Sequence, residues 1–112
     1  MSTSFVLKLS PGALENPDLD LRYDLPDAIA AQSGGRIQTN GYDYDDGVGP
    51  SLLLFLVAQA PGDLSLILTV LDSGPMLGND LRETPVAVED GGICSYVHPP
   101  RLVGTTFRLR KR

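Results

Sequence analysis

Ser51-Leu52-Leu53-Leu54-Phe55-Leu56-Val57-Ala58 is the stretch of sequence that decides the fold of this chain. Every position after Ser51 is apolar, so both faces of the segment would need cover if it were extended. Its length suits a strand, and a strand with two apolar faces is covered on both sides, or on one side and by a partner. The stretch therefore predicts the central strand of a sheet.

The segment that follows predicts a helix. Pro61-Gly62-Asp63 interrupts the apolar run, and Asp63 is of a residue type that caps helices. Apolar residues then recur at the i, i+3, i+4, i+7 spacing of one helix face, at Leu64, Ile67, Leu68 and Leu71. Ser73-Gly74-Pro75 predicts the end of this helix.

The N-terminal part predicts a strand, a helix and a second strand. Phe5–Leu9 is rich in strand-forming residues, and a helix with Asp24 as its N-cap is expected to end at Gly34-Gly35. Arg36–Asn40 predicts the next strand. Asn40-Gly41 then allows either a tight turn or a glycine bulge, past which Tyr42-Asp43-Tyr44 continues an edge strand.

The C-terminal part predicts a hairpin. Val86–Glu89 and Ile93–His98 flank Asp90-Gly91-Gly92, whose glycines accept the positive φ of a tight turn. A further edge strand is expected within Val103–Leu109.

The order of these elements predicts an α+β fold. We expect two helices packed on one face of a mainly antiparallel sheet, in the ferredoxin-like β-α-β-β-α-β-(β) order. Residues 1–109 are expected to form one α+β domain. Residues 110–112 form a basic C-terminal tail that is expected to fray.

Charge is divided unevenly along the chain. The first 100 residues hold all 14 carboxylates and four basic side chains, whereas the last twelve hold five basic side chains and no acid. An acidic body repels nucleic acid and anionic lipid and attracts basic proteins. We therefore expect a protein partner with a basic surface, and neither a nucleic-acid partner nor a membrane partner.

The sequence offers little for catalysis or for a cofactor. It contains one cysteine, Cys94, and one histidine, His98, which alternation places on the same side of a strand but too far apart for a dyad. The glycines match no phosphate-binding fingerprint, and no zinc-ligand set or nucleophile elbow is present. We therefore predict no cofactor and no metal. The lone cysteine and the absence of a signal-like N-terminus predict a cytoplasmic protein.

Tyr42-Asp43-Tyr44-Asp45-Asp46-Gly47 is the most distinctive local string. An EF-hand register fails, because the tyrosines and Leu53 would fall at positions that need acidic ligands. Tyrosine gives a large contact area at low entropic cost, and aspartate pairs with Arg or Lys across an interface. The string therefore predicts an interaction surface formed by Tyr42, Asp43, Tyr44, Asp45 and Asp46.

Four segments resemble small uncharacterised bacterial proteins: Asn16–Tyr23, Gly41–Tyr44, Asn79–Arg82 and Val88–Gly91. That group carries no known activity, so the resemblance implies no site residues. The small, acidic α+β build also resembles the immunity proteins that neutralise bacterial toxins. This second resemblance rests on size, charge and expected fold.

Three functions follow from these observations. The first is a non-catalytic protein-binding module, in the form of an immunity-type inhibitor of a basic toxin. The alternative is a small-ligand-binding or regulatory ferredoxin-like domain that acts as a homodimer. An enzyme ranks last, since it would need Asp43, Asp45 and Asp46 to converge with Glu89 in space.

Overall fold

Six strands and two α-helices make up the part of the chain that the computed structural model describes, which is residues 2–10, 14–16, 20–45 and 51–109. Two short 3₁₀ turns also occur: Pro61–Asp63 lies between the third strand and the second helix, and Pro100–Leu102 lies between the last two strands. In chain order the elements are β1 (Thr3–Leu9), α1 (Leu21–Gln32), β2 (Ile37–Asp45), β3 (Ser51–Ala58), α2 (Leu64–Leu71), β4 (Val86–Asp90), β5 (Ile93–His98) and β6 (Thr106–Arg108).

The six strands form one sheet in the order β2-β3-β1-β4-β5-β6, and every neighbouring pair is antiparallel. Helix α1 connects β1 to β2 with β3 between them, and α2 connects β3 to β4 with β1 between them. The predicted α+β class, with two helices and an antiparallel sheet, is therefore confirmed.

Both helices pack on one face of the sheet. α1 contributes Leu21, Leu25 and Ile29, and α2 contributes Ile67, Val70 and Leu71, to a single buried cluster. The sheet supplies alternate residues of β1 and β3, among them Leu7 of β1 and Leu54 of β3, which lie opposite each other in the register. This cluster is the main core of the protein.

A second, smaller core covers the other face of the sheet. Val6, Leu53, Phe55, Ala87 and Cys94 are buried there, and Tyr96, Phe107 and Leu109 pack against them. The Lys8 ammonium lies 5.0 Å from the centre of the Phe107 ring. Strand β3 is thus buried on both faces by its own chain, as its apolar sequence predicted.

Helix α1 begins four residues earlier than predicted, because its N-cap is Asp20 and not Asp24. Asp24 was expected as its N-cap, but the helix starts at Leu21 after Asp20. Leu21, Leu25 and Ile29 lie on successive turns and are all buried, so starting at Leu21 adds an apolar contact to the core. Pro26 consequently lies inside the helix. Gly34 and Gly35 end α1 with positive φ angles of 64° and 90°, as expected.

Asp63 occupies the N-cap position of α2, but its carboxylate turns back toward β3. It accepts hydrogen bonds from the backbone N–H groups of Gln59 and Ala60, both at 3.1 Å. Arg36, the residue before β2, donates to it from Nε at 2.9 Å. Asp63 therefore fixes the turn between β3 and α2 and ties that turn to the β2 side of the sheet. The Arg36 guanidinium, helped by these backbone bonds, lowers the pKa of the Asp63 carboxyl.

Two strand boundaries differ in detail from the predictions. Of the two alternatives at Asn40-Gly41, the bulge is the one observed, because the pairing with β3 shifts between Thr39 and Tyr42 and the strand continues to Asp45. The last strand covers only Thr106–Arg108, because residues 103–105 are still in a turn, in which Thr105 N–H donates to the Leu102 carbonyl at 3.0 Å. Residues 110–112, the predicted basic tail, lie outside the described residues.

Asn79 organises the connection between α2 and β4. It is fully buried and accepts a hydrogen bond from Asn16 N–H at 2.7 Å, while its amide donates to the Asn16 carbonyl at 2.7 Å. Asn16 Nδ2 in turn donates to the carbonyl of Leu77, at 2.8 Å. Two irregular segments that are distant in sequence are thereby held together.

Replacing Asn79 with alanine is expected to lower the free energy of unfolding by about 2 kcal/mol, because the two hydrogen bonds between the buried Asn79 amide and the Asn16 backbone would be lost, at about 1 kcal/mol each. Urea denaturation of Asn79→Ala measures this loss. Gln32→Ala, at the exposed end of α1, is the control and should change stability little. Equal stability of the two variants would contradict this role for Asn79.

The Asp63–Arg36 contact predicts a pH-dependent stability. Since the folded-state pKa of Asp63 is lowered, its stabilisation is complete above the unfolded pKa and is lost as the pH falls through the folded pKa. Asp63→Asn should therefore melt several degrees below the wild-type protein at pH 7, and this gap should close below about pH 4. Thermal unfolding from pH 3 to pH 8, with exposed Asp27→Asn as control, tests this. A gap that is independent of pH would show that the charge of Asp63 is irrelevant.

Candidate interaction surface

Three tyrosine side chains meet at the edge of the sheet, where α1 lies beside β2. The Tyr23 and Tyr42 ring centres are 5.9 Å apart at 87°, and those of Tyr42 and Tyr44 are 5.9 Å apart at 81°. Both pairs are edge-to-face contacts, which aromatic rings favour. We refer to Tyr23, Tyr42 and Tyr44 as the tyrosine cluster.

The bulge in β2 determines which face of the sheet the two strand tyrosines occupy. Thr39 pairs with Leu56 and Tyr42 pairs with Leu54, so β2 advances by three residues while β3 advances by two. Gly41 within the bulge has a φ of 86°, a conformation that favours glycine. Uninterrupted alternation would have placed Asp43 on the helix face. With the bulge, Tyr42 and Tyr44 lie on the helix face, beside Tyr23.

Arg22 accompanies the tyrosine cluster. Its guanidinium carbon lies 4.7 Å from the centre of the Tyr23 ring and 5.6 Å from that of Tyr42, which are cation–π distances. The pKa of Tyr23 is lowered, first by the hydrogen bond from Arg22 and then by one from the Tyr42 hydroxyl. The pKa of Tyr42 is raised, chiefly by its hydrogen bond to Tyr23. The cluster is therefore held together by polar contacts as well as by ring contacts.

The acidic members of the predicted surface are placed differently. Asp43 pairs with Leu53 and so belongs to the sheet face opposite the tyrosines, where its carboxylate accepts from Tyr44 N–H at 2.9 Å. Asp45 ends β2 opposite Ser51, and its side chain lies outside the described part of the structure. Asp46 lies outside the described residues. The structure thus brings Tyr42 and Tyr44 together and places Asp43 on the other face.

Sequence reasoning missed Tyr23 and Arg22 as members of this surface. They are about twenty positions away from Tyr42 in the chain, and only the packing of α1 against β2 brings them close. The helical spacing did indicate that Tyr23 does not belong to the core, because it lies outside the row of Leu21, Leu25 and Ile29 that α1 buries.

Cys94 and His98 do not form a site together. Cys94 is buried in the second core, where desolvation, and then Glu89, raise the pKa of its thiol to about 11. His98 had been expected on the same side, but an irregularity between Val86 and Ala87 shifts the register. His98 therefore pairs with Val86 of the main core, and its Nε2 lies 2.7 Å from the Arg82 carbonyl oxygen, to which it donates.

The acids that an enzyme would need do not converge where the structure describes them. Asp43 on β2 and Glu89 on β4 are three strand positions apart, which is roughly 14 Å across the sheet. Within residues 2–10, 14–16, 20–45 and 51–109, no three His, Cys, Asp or Glu side chains are grouped to hold a metal ion. Asp80 instead forms an ion pair with Arg82, in which Arg82 Nη2 lies 2.7 Å from Asp80 Oδ2. The Arg82 guanidinium lowers the pKa of the Asp80 carboxyl to about 2.

No protein-family model, curated protein or solved structure matches this chain. The resemblance to small acidic bacterial proteins and to immunity proteins therefore stays a prediction. None of the helices in the described part of the chain is both long and apolar enough to span a bilayer.

The environment of Cys94 predicts slow thiol chemistry. With a pKa of about 11, roughly one thiol in a thousand is ionised at pH 8, against about one in four for an ordinary cysteine. We expect Ellman's reagent to react with the folded protein at least on the order of 100-fold more slowly than with the protein unfolded in guanidinium. Comparable rates in the two states would contradict the buried position of Cys94.

Proposed function

We propose that this protein is a non-catalytic protein-binding module that recognises a partner with a basic surface through its tyrosine cluster. The supporting observation is the exposure of the cluster: 48% of Tyr23, 38% of Tyr42 and 48% of Tyr44 is accessible. Ordered, solvent-facing tyrosines are typical of residues that dominate binding energy in interfaces.

The cluster is also unusual within this protein. Five large hydrophobic or aromatic side chains are exposed in the described part of the chain, and the tyrosine cluster supplies three of them. The other two, Ile93 and Val103, are in or after β5, far across the sheet from β2. Contiguous exposed apolar surface marks interaction sites more often than scattered residues do.

Charge supports the basic nature of the partner. The chain has 14 acidic and nine basic side chains, and its net charge is −5. Exposed Asp24 and Asp27 follow Tyr23 on α1, so the tyrosine cluster adjoins acidic surface. An acidic field accelerates association with a cationic protein and helps to orient it.

An immunity-type inhibitor of a basic toxin is the specific form of this role that we favour. We infer a ferredoxin-like unit from the strand order β4-β1-β3-β2, in which each helix joins strands separated by one other strand, with β5 and β6 as an extension. A cytoplasmic location is part of the proposal, and the unpaired, buried Cys94 fits a reducing compartment.

A small-ligand-binding homodimer is the second candidate. A cleft of about 270 Å³ between the end of β1 and residues 80–85 favours it, because Lys8, Thr84 and Arg101 are among its lining residues. The cleft is small for a metabolite, and Arg101 already bonds Glu83 at 3.1 Å. A thermal-shift screen distinguishes the two candidates, since a metabolite that raises the Tm would favour this one.

Affinity capture from the native host tests the protein-binding proposal. The wild-type chain should capture a basic protein at low salt and capture much less of it when NaCl approaches 1 M during the binding step, because charges are then screened within about 3 Å and no longer accelerate association. Tyr42→Ser/Tyr44→Ser should bind that protein about tenfold more weakly or worse, because interface tyrosines dominate binding energy. Ile93→Ser, a change of similar kind on the far side of the sheet, is the matched control.

Circular dichroism must first show that the variants are folded. The proposal fails if the double variant binds as well as the wild type does. A partner whose affinity ignores salt would remove the electrostatic part of the proposal and leave the tyrosine part.

A further inference from the structure

β2 forms one edge of the sheet, with β3 as its single neighbouring strand in the sheet that the structure describes. It is nine residues long, whereas β6 at the opposite edge has three. The outward side of an edge strand carries backbone N–H and C=O groups that can pair with an added strand. β2 is therefore the longer of the two edges available for such pairing.

Proteins usually protect an edge of this length. Lysine or proline on the edge strand and a bulge are the common devices. Ile37–Asp45 contains neither lysine nor proline, and its bulge lies between Thr39 and Tyr42. Residues 42–45 beyond the bulge pair with residues 54–51 of β3 in uninterrupted register. This four-residue segment is thus a regular edge without lysine or proline. Its Tyr44 N–H already donates to Asp43 Oδ1, at 2.9 Å, so an added strand would have to replace that hydrogen bond, which a basic side chain that binds the Asp43 carboxylate would favour.

The two sides of this segment differ in chemistry. Tyr42 and Tyr44 lie on the helix face, and Asp43 and Asp45 hold the alternate register positions. Successive side chains of an added strand would point alternately to these two sides. Arginine or lysine suits the Asp43 side, because a cation is attracted to a carboxylate. On the other side a cation is attracted to an aromatic ring face, and it would share the tyrosine cluster with Arg22, whose guanidinium already lies over the Tyr23 and Tyr42 rings.

A second copy of this chain suits the edge poorly. Two β2 strands paired antiparallel about a two-fold axis in the registers that overlap residues 42–45 most, centred on Asp43 or on Tyr44, place Asp43 opposite itself or opposite Asp45, and like charges directly opposite each other destabilise a strand pair. Each copy also has a net charge of −5. Charge complementarity therefore favours a basic occupant over self-association.

We propose that an extended basic segment of a partner protein adds as a strand to residues 42–45 of β2, with alternate side chains over the tyrosine cluster and on the Asp43 side of the sheet. This inference rests on the proposed protein-binding function and specifies its mode: main-chain hydrogen bonds give register, and alternate side chains give specificity. β6 should not accept the same segment, because it is short and carries Arg108.

The test is amide hydrogen exchange of the full-length, ¹⁵N-labelled protein with a synthetic heptapeptide of alternating arginine and threonine. Strand addition should slow the exchange of outward-facing amides within residues 42–45 about tenfold or more, and leave residues 106–108 unchanged. Two control peptides isolate the causes. One has every backbone nitrogen methylated, which removes its N–H donors, and the other has glutamate in place of arginine.

The inference is overturned if the arginine peptide leaves residues 42–45 unprotected. It is also overturned if the methylated or the glutamate peptide protects them equally, or if β6 is protected as strongly. Protection that rises with protein concentration in the absence of peptide would identify a second copy as the occupant instead. The proposed function has its own readout: if capture of a basic protein still depends on Tyr42 and Tyr44, protein binding stands while strand addition fails.

Discussion

The burial of β3 on both faces is the constraint on which the rest of the structure depends. Leu54 and Leu56 require the two helices on one side, and Leu53 and Phe55 require a second layer on the other. On that second side Leu53 and Phe55 belong to one buried cluster with Val6, Ala87 and Cys94, against which Phe107 packs from the far end of the sheet. β3 lies between β1 and β2, and β2 forms the edge of the sheet.

The bulge at Gly41 converts that edge into a candidate surface. A side-chain period of two means that one extra residue exchanges the two faces for every later position in the strand. The exchange places Tyr42 and Tyr44 beside Tyr23 and transfers Asp43 to the opposite side. Strand alternation separates the tyrosines from Asp43, and the bulge decides that the tyrosines are the residues on the helix face. A feature of the backbone, and not the composition of the string alone, gives this surface its chemistry.

The sequence was sufficient for features that depend on local periodicity. The apolar run of β3, the spacing of α2 and the Asp90-Gly91-Gly92 hairpin all appear in the structure where they were predicted. The sequence was insufficient for features that depend on contacts between distant parts of the chain. Burial of Leu21 extends α1 past its expected cap, and Asn79 is explained only by its contact with Asn16, which is 63 residues away in the chain. Tyr42 and Tyr44 could be selected by composition, whereas Arg22 and Tyr23 required the packing of α1 on the sheet.

The tyrosines and the carboxylates would contribute to different stages of binding. An exposed ion pair contributes only about 0–1 kcal/mol and is screened by salt, so the acidic charge alone cannot hold a long-lived complex. Its effect is on the rate of encounter, because a charged surface attracts an oppositely charged protein before contact. Contact with the tyrosine cluster removes ring surface from water, and that contribution is insensitive to salt. Backbone pairing along β2 would add register to both, since strand hydrogen bonds form only when the two chains are aligned residue by residue. Fast encounter, tight contact and fixed register would then come from three features that lie together at one edge of the sheet.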